Sequence, residues 1–308
     1  MANVIQVEQI TKDYGSGKGV FDVSLEVKKG EVFGYLGPNG AGKTTTIRQL
    51  MGFIRPDKGF CKIQGMDCFS QSAQIQKSLG YLAGEIAFMD DMKGMEFLNF
   101  MADMKGMKDR SRIQELMHRF ELDPRGKIRK MSKGMKQKIG IICAFMDHPE
   151  VLILDEPTSG LDPLMQNRFI ELIQEEKKRG TTILMSSHLF EEVEKTCDRA
   201  AIIRDGRIVV VEDMIQLAKK KQKTYDVKLK DEQEAERLAQ NTTLQIRGRR
   251  GRHVEIAVRQ NIKEALRILN QYEMIDLDVK SQTLEEIFMH YYGNTDKIAE
   301  DKSNIKGR

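Results

Sequence analysis

This sequence predicts an α/β fold with parallel strands, followed by a smaller α+β module. Three observations carry the prediction. A glycine-rich loop, Gly37-Pro38-Asn39-Gly40-Ala41-Gly42-Lys43-Thr44-Thr45, follows the apolar run Val32–Leu36 and precedes a segment, 46–51, that can start a helix. Two β-branched runs, 151–154 and 181–185, flank the helical spacing of Phe169, Leu172 and Ile173, which is a βαβ unit and implies parallel pairing. Past residue 223 the hydrophobic pattern restarts in the order β-α-β-β-α-β.

Taken in order, the first third alternates short strands and turns at 4–7, 23–27, 32–36 and 60–64. A second glycine cluster, Gly15-Ser16-Gly17-Lys18-Gly19, lacks the phosphate-loop spacing and its hydroxyl, and reads as a plain loop. Residues 92–146 read as helices. Phe97, Phe100, Met101 and Met104 recur at helical spacing, as do Ile113, Leu116, Met117 and Phe120. Asp205-Gly206 between two apolar runs signals a two-residue hairpin.

The lysine-rich run 219–223 reads as a linker, placed at 218–223. Alternating Tyr225, Val227, Leu229, then Leu244, Ile246, then Val254, Ile256, Val258, then Ile275, Leu277, Val279 mark four strands. Ala235, Leu238 and Ala239 mark one intervening helix; Ile262, Ala265, Leu266 and Leu269 mark the other. That order is the ferredoxin-like arrangement. Arg247, Arg249, Arg250 and Arg252 fall where a hairpin turn is expected around Gly248 and Gly251, and read as a solvated basic turn. A capping box, Thr283-x-x-Glu286, opens a last helix with Leu284, Ile287, Phe288 and Tyr291 on one face, and the tail 294–308 is polar.

Composition narrows the class. Of 308 residues, 31% are charged and 40% apolar, which suits a globular protein of one large domain with an appendage. The longest uncharged apolar stretch, 139–146, falls far short of the roughly 20 residues a membrane helix needs, and the N-terminal residues carry no signal-peptide pattern. Cys61, Cys68, Cys143 and Cys197 form no C-x-x-C pair, so reduced structural thiols are expected and no zinc site. A net charge of +4 is too small to argue nucleic-acid binding, and no aromatic stacking set accompanies the arginines.

The chemistry begins at the glycine-rich loop. Its glycines let successive N–H groups turn inward onto phosphate oxygens, and the following helix N-terminus adds partial positive charge. Lys43 then reaches the β- and γ-phosphates, and the Thr44 hydroxyl can ligate Mg²⁺. Downstream, 151–154 is an apolar strand that ends in Asp155-Glu156. A strand-end aspartate near a phosphate loop can hold Mg²⁺, and a neighbouring glutamate can orient an attacking water.

Four further segments resemble those of ATP-binding cassette (ABC) ATPases, in that family's order. Met131-Ser132-Lys133-Gly134-Met135-Lys136-Gln137 resembles the signature peptide, usually Leu-Ser-Gly-Gly-Gln. Ser159-Gly160-Leu161-Asp162 resembles the D-loop, His188 after Ser186-Ser187 the switch histidine, and Tyr14 the adenine-stacking aromatic. The resemblance covers about residues 3–217. It implies a P-loop NTPase with a RecA-like α/β core, an antiparallel β subdomain and a helical subdomain at about 88–147, within an ATPase domain spanning 1–217. The small ferredoxin-like accessory domain would occupy 224–293.

The resemblance also implies the site. Tyr14 would stack on adenine; Gly37, Pro38, Asn39, Gly40, Ala41, Gly42, Lys43, Thr44 and Thr45 would hold the phosphates; Thr44 and Asp155 would ligate Mg²⁺. Glu156 would be the general base, His188 would contact the γ-phosphate, and Asp162 would link two active sites. Ser132 and Gly134 would close over ATP held by a second copy of the chain. This sequence departs from the pattern at Lys133, where glycine is usual, at Met135, where glutamine is usual, and at Gly84, which stands at the glutamine-loop position. Glu85, the next residue, would be the substitute contact to Mg²⁺ or water, or else a plain loop acid. The family context implies an ATP-hydrolysing subunit on the cytoplasmic face of the cell membrane, dimeric over two ATP molecules and driving a separate multi-span permease, with similarity to ABC-2-type exporters. No nucleic-acid partner is expected. The alternative class is a soluble ABC ATPase acting on ribosomes or nucleic acid, whose members usually carry two cassettes or long coiled-coil insertions. Ten of the 18 methionines lie between Met89 and Met146, in the region that receives the permease in this family.

Overall fold

The computed structural model describes residues 2–220, 223–258, 262–281 and 286. It divides into two compact units, one to Met214 and one from Ile215. In the first unit, strands β1 (Asn3–Asp13) and β2 (Gly19–Lys28) form a hairpin, and β3 (Val32–Leu36) leads through the phosphate loop into helix α1 (Lys43–Leu50). Strands β4 (Lys58–Ile63) and β5 (Met66–Asp67), helix α2 (Ser72–Ser78) and strand β6 (Leu79–Leu82) follow. Helices α3 (Gly94–Met104), α4 (Ser111–Arg119) and α5 (Lys133–Phe145) come next, then the α/β run of β7 (Val151–Asp155), α6 (Pro163–Lys178), β8 (Thr182–Ser187), α7 (Phe190–Thr196), β9 (Arg199–Arg204) and β10 (Arg207–Asp213).

Two sheets result. The six-stranded one has the order β10-β9-β3-β8-β7-β6, with β6, β7, β8, β3 and β9 parallel and β10 antiparallel at the edge. Every residue of β3, β7 and β8 is buried, which is why these strands read as unbroken apolar runs: a parallel sheet is covered on both faces. The expected βαβ unit is present as β7-α6-β8 with direct parallel pairing, and Asp205-Gly206 joins β9 to β10. The four-stranded sheet, β2-β1-β4-β5, is antiparallel.

Three local readings need correction. β1 runs to Asp13, well past the 4–7 that alternation marks. A register shift between Val7 and Ile10, with Gln9 at φ +47°, moves the next buried side chain from i+2 to i+3 and breaks the period-two signal. In α3 the buried side is Phe97, Leu98 and Ala102, while Met104 is 70% exposed. The expected face was rotated because Met101 and Met104, apolar by type, lie toward its open side. The 218–223 linker is largely secondary structure: helix α8 (Met214–Lys220) extends to Lys220, and β11 (Lys223–Leu229) starts at Lys223. Lysine is a good helix former and favours a helix C-terminus, so a run of lysines need not break a helix.

The second unit continues with α9 (Glu232–Ala239), β12 (Gln245–Arg250), β13 (His253–Val258), α10 (Ile262–Leu269) and β14 (Met274–Ser281). Its antiparallel sheet has the order β12-β13-β11-β14, over a core of Tyr225, Val227, Leu229, Ala235, Leu238, Val254, Ile256 and Leu269. Arg247, Arg249 and Arg250 lie along β12 and not at a turn; the turn is Gly251-Arg252, with Gly251 at φ +59°. Gly248 instead sits at a register shift in β12. The helix expected from Thr283 through Tyr291, and the tail 294–308, lie outside the described residues apart from Glu286.

Candidate functional site

The carboxyl ends of the parallel strands deliver four loops to one edge of the large sheet. The phosphate loop leaves β3, Gly84-Glu85 leaves β6, Asp155-Glu156 ends β7, and Ser187-His188 ends β8. Open α/β sheets bind ligands at this edge, because chain turns there leave a crevice between loops. The crevice here is a cavity of about 750 Å³, lined among others by Asn39, Thr44, Glu85, Lys133, Glu156 and His188. Arg48 and Lys136 also face it, so basic side chains outnumber the two acids, as suits a polyanion.

The loop is held from beneath. The Gly37 N–H donates to the Ser187 carbonyl at 3.3 Å, and the Gly206 N–H donates to the Ala41 carbonyl at 3.0 Å. Gly40 and Gly42 adopt φ +81° and +108°, a left-handed region that other residues enter only with strain. A Cβ added at Gly37 would sit 2.4 Å from the Ile203 carbonyl, so that position admits no side chain. Lys43 is 4% exposed and folds back across the loop: its Nζ donates to the Gly37 carbonyl at 2.6 Å and the Pro38 carbonyl at 3.1 Å, and pairs with Glu156 Oε1 at 3.0 Å. Pro38, Asn39, Gly40 and Thr44 are exposed, and Thr45 is half-buried.

The two acids have different environments. Asp155 is fully buried; its Oδ1 accepts from the Ser186 hydroxyl at 2.5 Å, and its Oδ2 has no protein partner. A buried carboxylate oxygen left open is costly unless a cation completes it, so this atom fits a divalent metal. A Cβ at Gly84 would come within 3.1 Å of that oxygen, so glycine keeps the approach to it clear. Glu156 sits at φ +49°, with its N–H donating to the Ser186 hydroxyl at 3.1 Å. Its carboxylate lies between Lys43 and His188, whose Nδ1 is 2.5 Å from Oε2. The Gln137 amide of α5 donates to the Pro157 carbonyl at 2.7 Å and fixes the loop just past Glu156.

The signature segment forms the first turn of α5. Ser132 is its N-cap, with the hydroxyl accepting the Met135 N–H at 3.2 Å. Lys133 reaches the next loop, donating to the Ser159 hydroxyl at 2.9 Å, and a Cβ at Gly134 would lie 2.7 Å from the Gly160 carbonyl. Asp162 caps α6 by accepting the Met165 N–H at 3.0 Å. The structure thus brings Thr44, Glu85, Glu156 and His188 to one cavity, with Lys43 and Asp155 against its wall. Tyr14 is placed apart: it is 54% exposed in the loop between β1 and β2 and does not line the cavity. Ser186 and Gln137 were missed as site residues. The only sequence signal for them is adjacency, Ser186 to His188 and Gln137 to the signature turn.

Comparison with known proteins identifies the family. The ABC transporter family model matches residues 20–159. The chain is 37% identical over 238 residues to the bacitracin transport ATP-binding protein BcrA of Bacillus licheniformis, covering 76% of this chain and 78% of that one. It is 38% identical to the ABC transporter ATP-binding protein NatA of Bacillus subtilis (strain 168), covering 62% of this chain and 80% of NatA. Among solved structures, the ATP-binding subunit of an ABC transporter superposes with a TM-score of 0.64 at 29% identity, covering 70% of this chain and 92% of that one. The dimeric post-hydrolysis cassette MJ0796, bound to ADP and Pi, shares the fold with a TM-score of 0.62 at 20% identity, covering 68% of this chain and 98% of its own. With a phosphate loop, a strand-end acid pair and a signature turn assembled on such a cassette, the chain belongs to the ABC transporter family as an ATP-hydrolysing, ATP-binding subunit.

Proposed function

We propose that this subunit drives an export permease, carried in a separate chain, by closing with a second copy of itself over two ATP molecules. The observation that carries the reading is the exposure of two incomplete half-sites on one chain: the phosphate loop with Glu156, and the Ser132–Gly134 turn. In this reading Gly37 through Thr45 bind the phosphates, with Lys43 leaving Glu156 to meet the γ-phosphate. Tyr14 stacks on adenine from its exposed loop. The open Asp155 oxygen and the Thr44 hydroxyl hold Mg²⁺, which when bound offsets phosphate charge. Glu156 takes the proton of the attacking water, and His188, already hydrogen-bonded to it, orients that carboxylate and contacts the γ-phosphate. The partner's signature turn supplies N–H groups at a helix N-terminus, and Asp162 connects the two sites.

Export by an ABC-2-type system is supported by relatives named for bacitracin transport and linearmycin resistance. Among the described residues no helix is long and apolar enough to cross a membrane. The family relationship supports a membrane partner in a separate chain and a position on the membrane's cytoplasmic face. The β-α-β-β-α-β order of the second unit supports a ferredoxin-like accessory domain within 224–293, after an ATPase domain of 1–217 whose helical subdomain is about 88–147. Exposed Met89 and Met104 suit a docking face that follows a moving partner. The test is fractionation: co-expressed with the multi-span protein encoded beside it, the chain pellets with membranes, and expressed alone it does not. Sedimentation with ribosomes or nucleic acid instead would overturn the reading.

Glu85 is exposed at the cavity rim beside Gly84. As the substitute for the missing glutamine it contacts Mg²⁺ or its water. Glu85→Ala is therefore expected to lower ATPase activity about tenfold and raise the Mg²⁺ concentration for half-maximal rate, since outer contacts to a metal site cost this much. Unchanged turnover and unchanged Mg²⁺ dependence would reduce Glu85 to a loop acid.

A further inference from the structure

We propose that Glu192 is a positioning residue for ATP hydrolysis, its buried carboxyl holding Ser187, the strand-end residue that supports both His188 and the phosphate loop. The inference rests on the roles assigned above to His188 and the phosphate loop and adds the support that holds them in register.

Glu192 lies one helical turn past His188, in α7, and is 5% exposed. Its Oε2 accepts from the Ser187 hydroxyl at 2.5 Å. Ser187 is itself 1% exposed and central to the site: its carbonyl takes the Gly37 N–H of the phosphate loop at 3.3 Å, and its hydroxyl takes the Leu189 N–H at 3.0 Å. Both neighbours of His188 are thereby pinned. One side chain therefore backs, through Ser187, both the strand end that presents His188 and the phosphate loop. Val193 and Thr196 on the same helix are buried, so an apolar side chain at 192 would satisfy packing alone. A carboxyl that costs desolvation is explained by the Ser187 hydroxyl it holds.

Its charge also reaches the reaction groups. Burial, against the Ser187 hydrogen bond, pushes the Glu192 carboxyl up to about 7; the Glu156 carboxylate adds to the rise and His188 opposes it. Burial raises the thiol of Cys197, just past the end of α7, and the Glu192 charge adds to that rise. Protonated below that pH and ionised above it, Glu192 alters the field on the Glu156–His188 pair near neutrality.

The test compares Glu192→Gln, Glu192→Leu and Ser187→Ala in the full-length chain, measuring thermal stability, ATP affinity, kcat, KM and the pH profile of kcat. Glu192→Leu is expected to keep the melting temperature and ATP affinity but to lose about tenfold or more in kcat, since small displacements of reacting groups cost on that scale. Ser187→Ala should lower kcat in the same way. Glu192→Gln keeps the Ser187 hydrogen bond and most of kcat but loses the pH-dependence near 7. The proposal is overturned if Glu192→Leu retains parental kcat, or if Glu192→Gln leaves the pH profile unmoved. Failure of the base assignment is read separately, from turnover in Glu156→Gln.

Discussion

Glu156→Gln is expected to bind ATP as tightly as the parent, within a few-fold, while its turnover falls by about 10²–10⁴, the range for losing a general base. Glutamine is isosteric with the carboxylate but cannot take a proton from water. In the proposed site the phosphates are held by other residues, Gly37 through Thr45, so nucleotide affinity has little reason to drop. Freeing Lys43 from its 3.0 Å ion pair with Glu156 even favours the phosphates. Single-turnover phosphate release and equilibrium nucleotide binding separate the two quantities. Hydrolysis within a few-fold of the parental rate would mean that another group serves as base.

The second large effect is expected at the signature turn. Gly134→Asp puts a Cβ where only 2.7 Å separates it from the Gly160 carbonyl, and adds negative charge at a helix N-terminus built to accept an anion. The chain's own phosphate loop is untouched, so one copy still binds ATP. In the proposed reading closure of two copies brings this turn onto the other's γ-phosphate, so ATPase activity should fall to background. Normal turnover in a folded Gly134→Asp chain would detach the signature turn from the reaction.

Much of the site is legible in the sequence for a physical reason. A phosphate loop needs glycines, lysine and threonine at fixed spacing, and a strand-end acid pair needs an apolar run before it, so both leave short local patterns. Ser186 and Gln137 leave none. Each is an ordinary residue whose partner lies far along the chain: Asp155 for Ser186 and the Pro157 carbonyl for Gln137. Glu192 bonds Ser187 five residues back, a spacing that carries no signal of its own. In the fold, β3, β7 and β8 were readable because full burial demands unbroken apolar residues. The shift near Gln9 hides the second half of β1, and the arginines of β12 read as a turn because charge and glycine together mimic one. The lysines at 219 and 220 read as a linker although a helix end tolerates them well.

On the proposed reading one chain holds two halves of different ATP sites. The molar mass in solution of Glu156→Gln, by light scattering, with and without saturating Mg-ATP, tests this. One chain is expected without nucleotide, two chains with ATP, and one chain again when Gly134→Asp is added to the same variant. A species that binds ATP fully yet stays at the mass of one chain would contradict it.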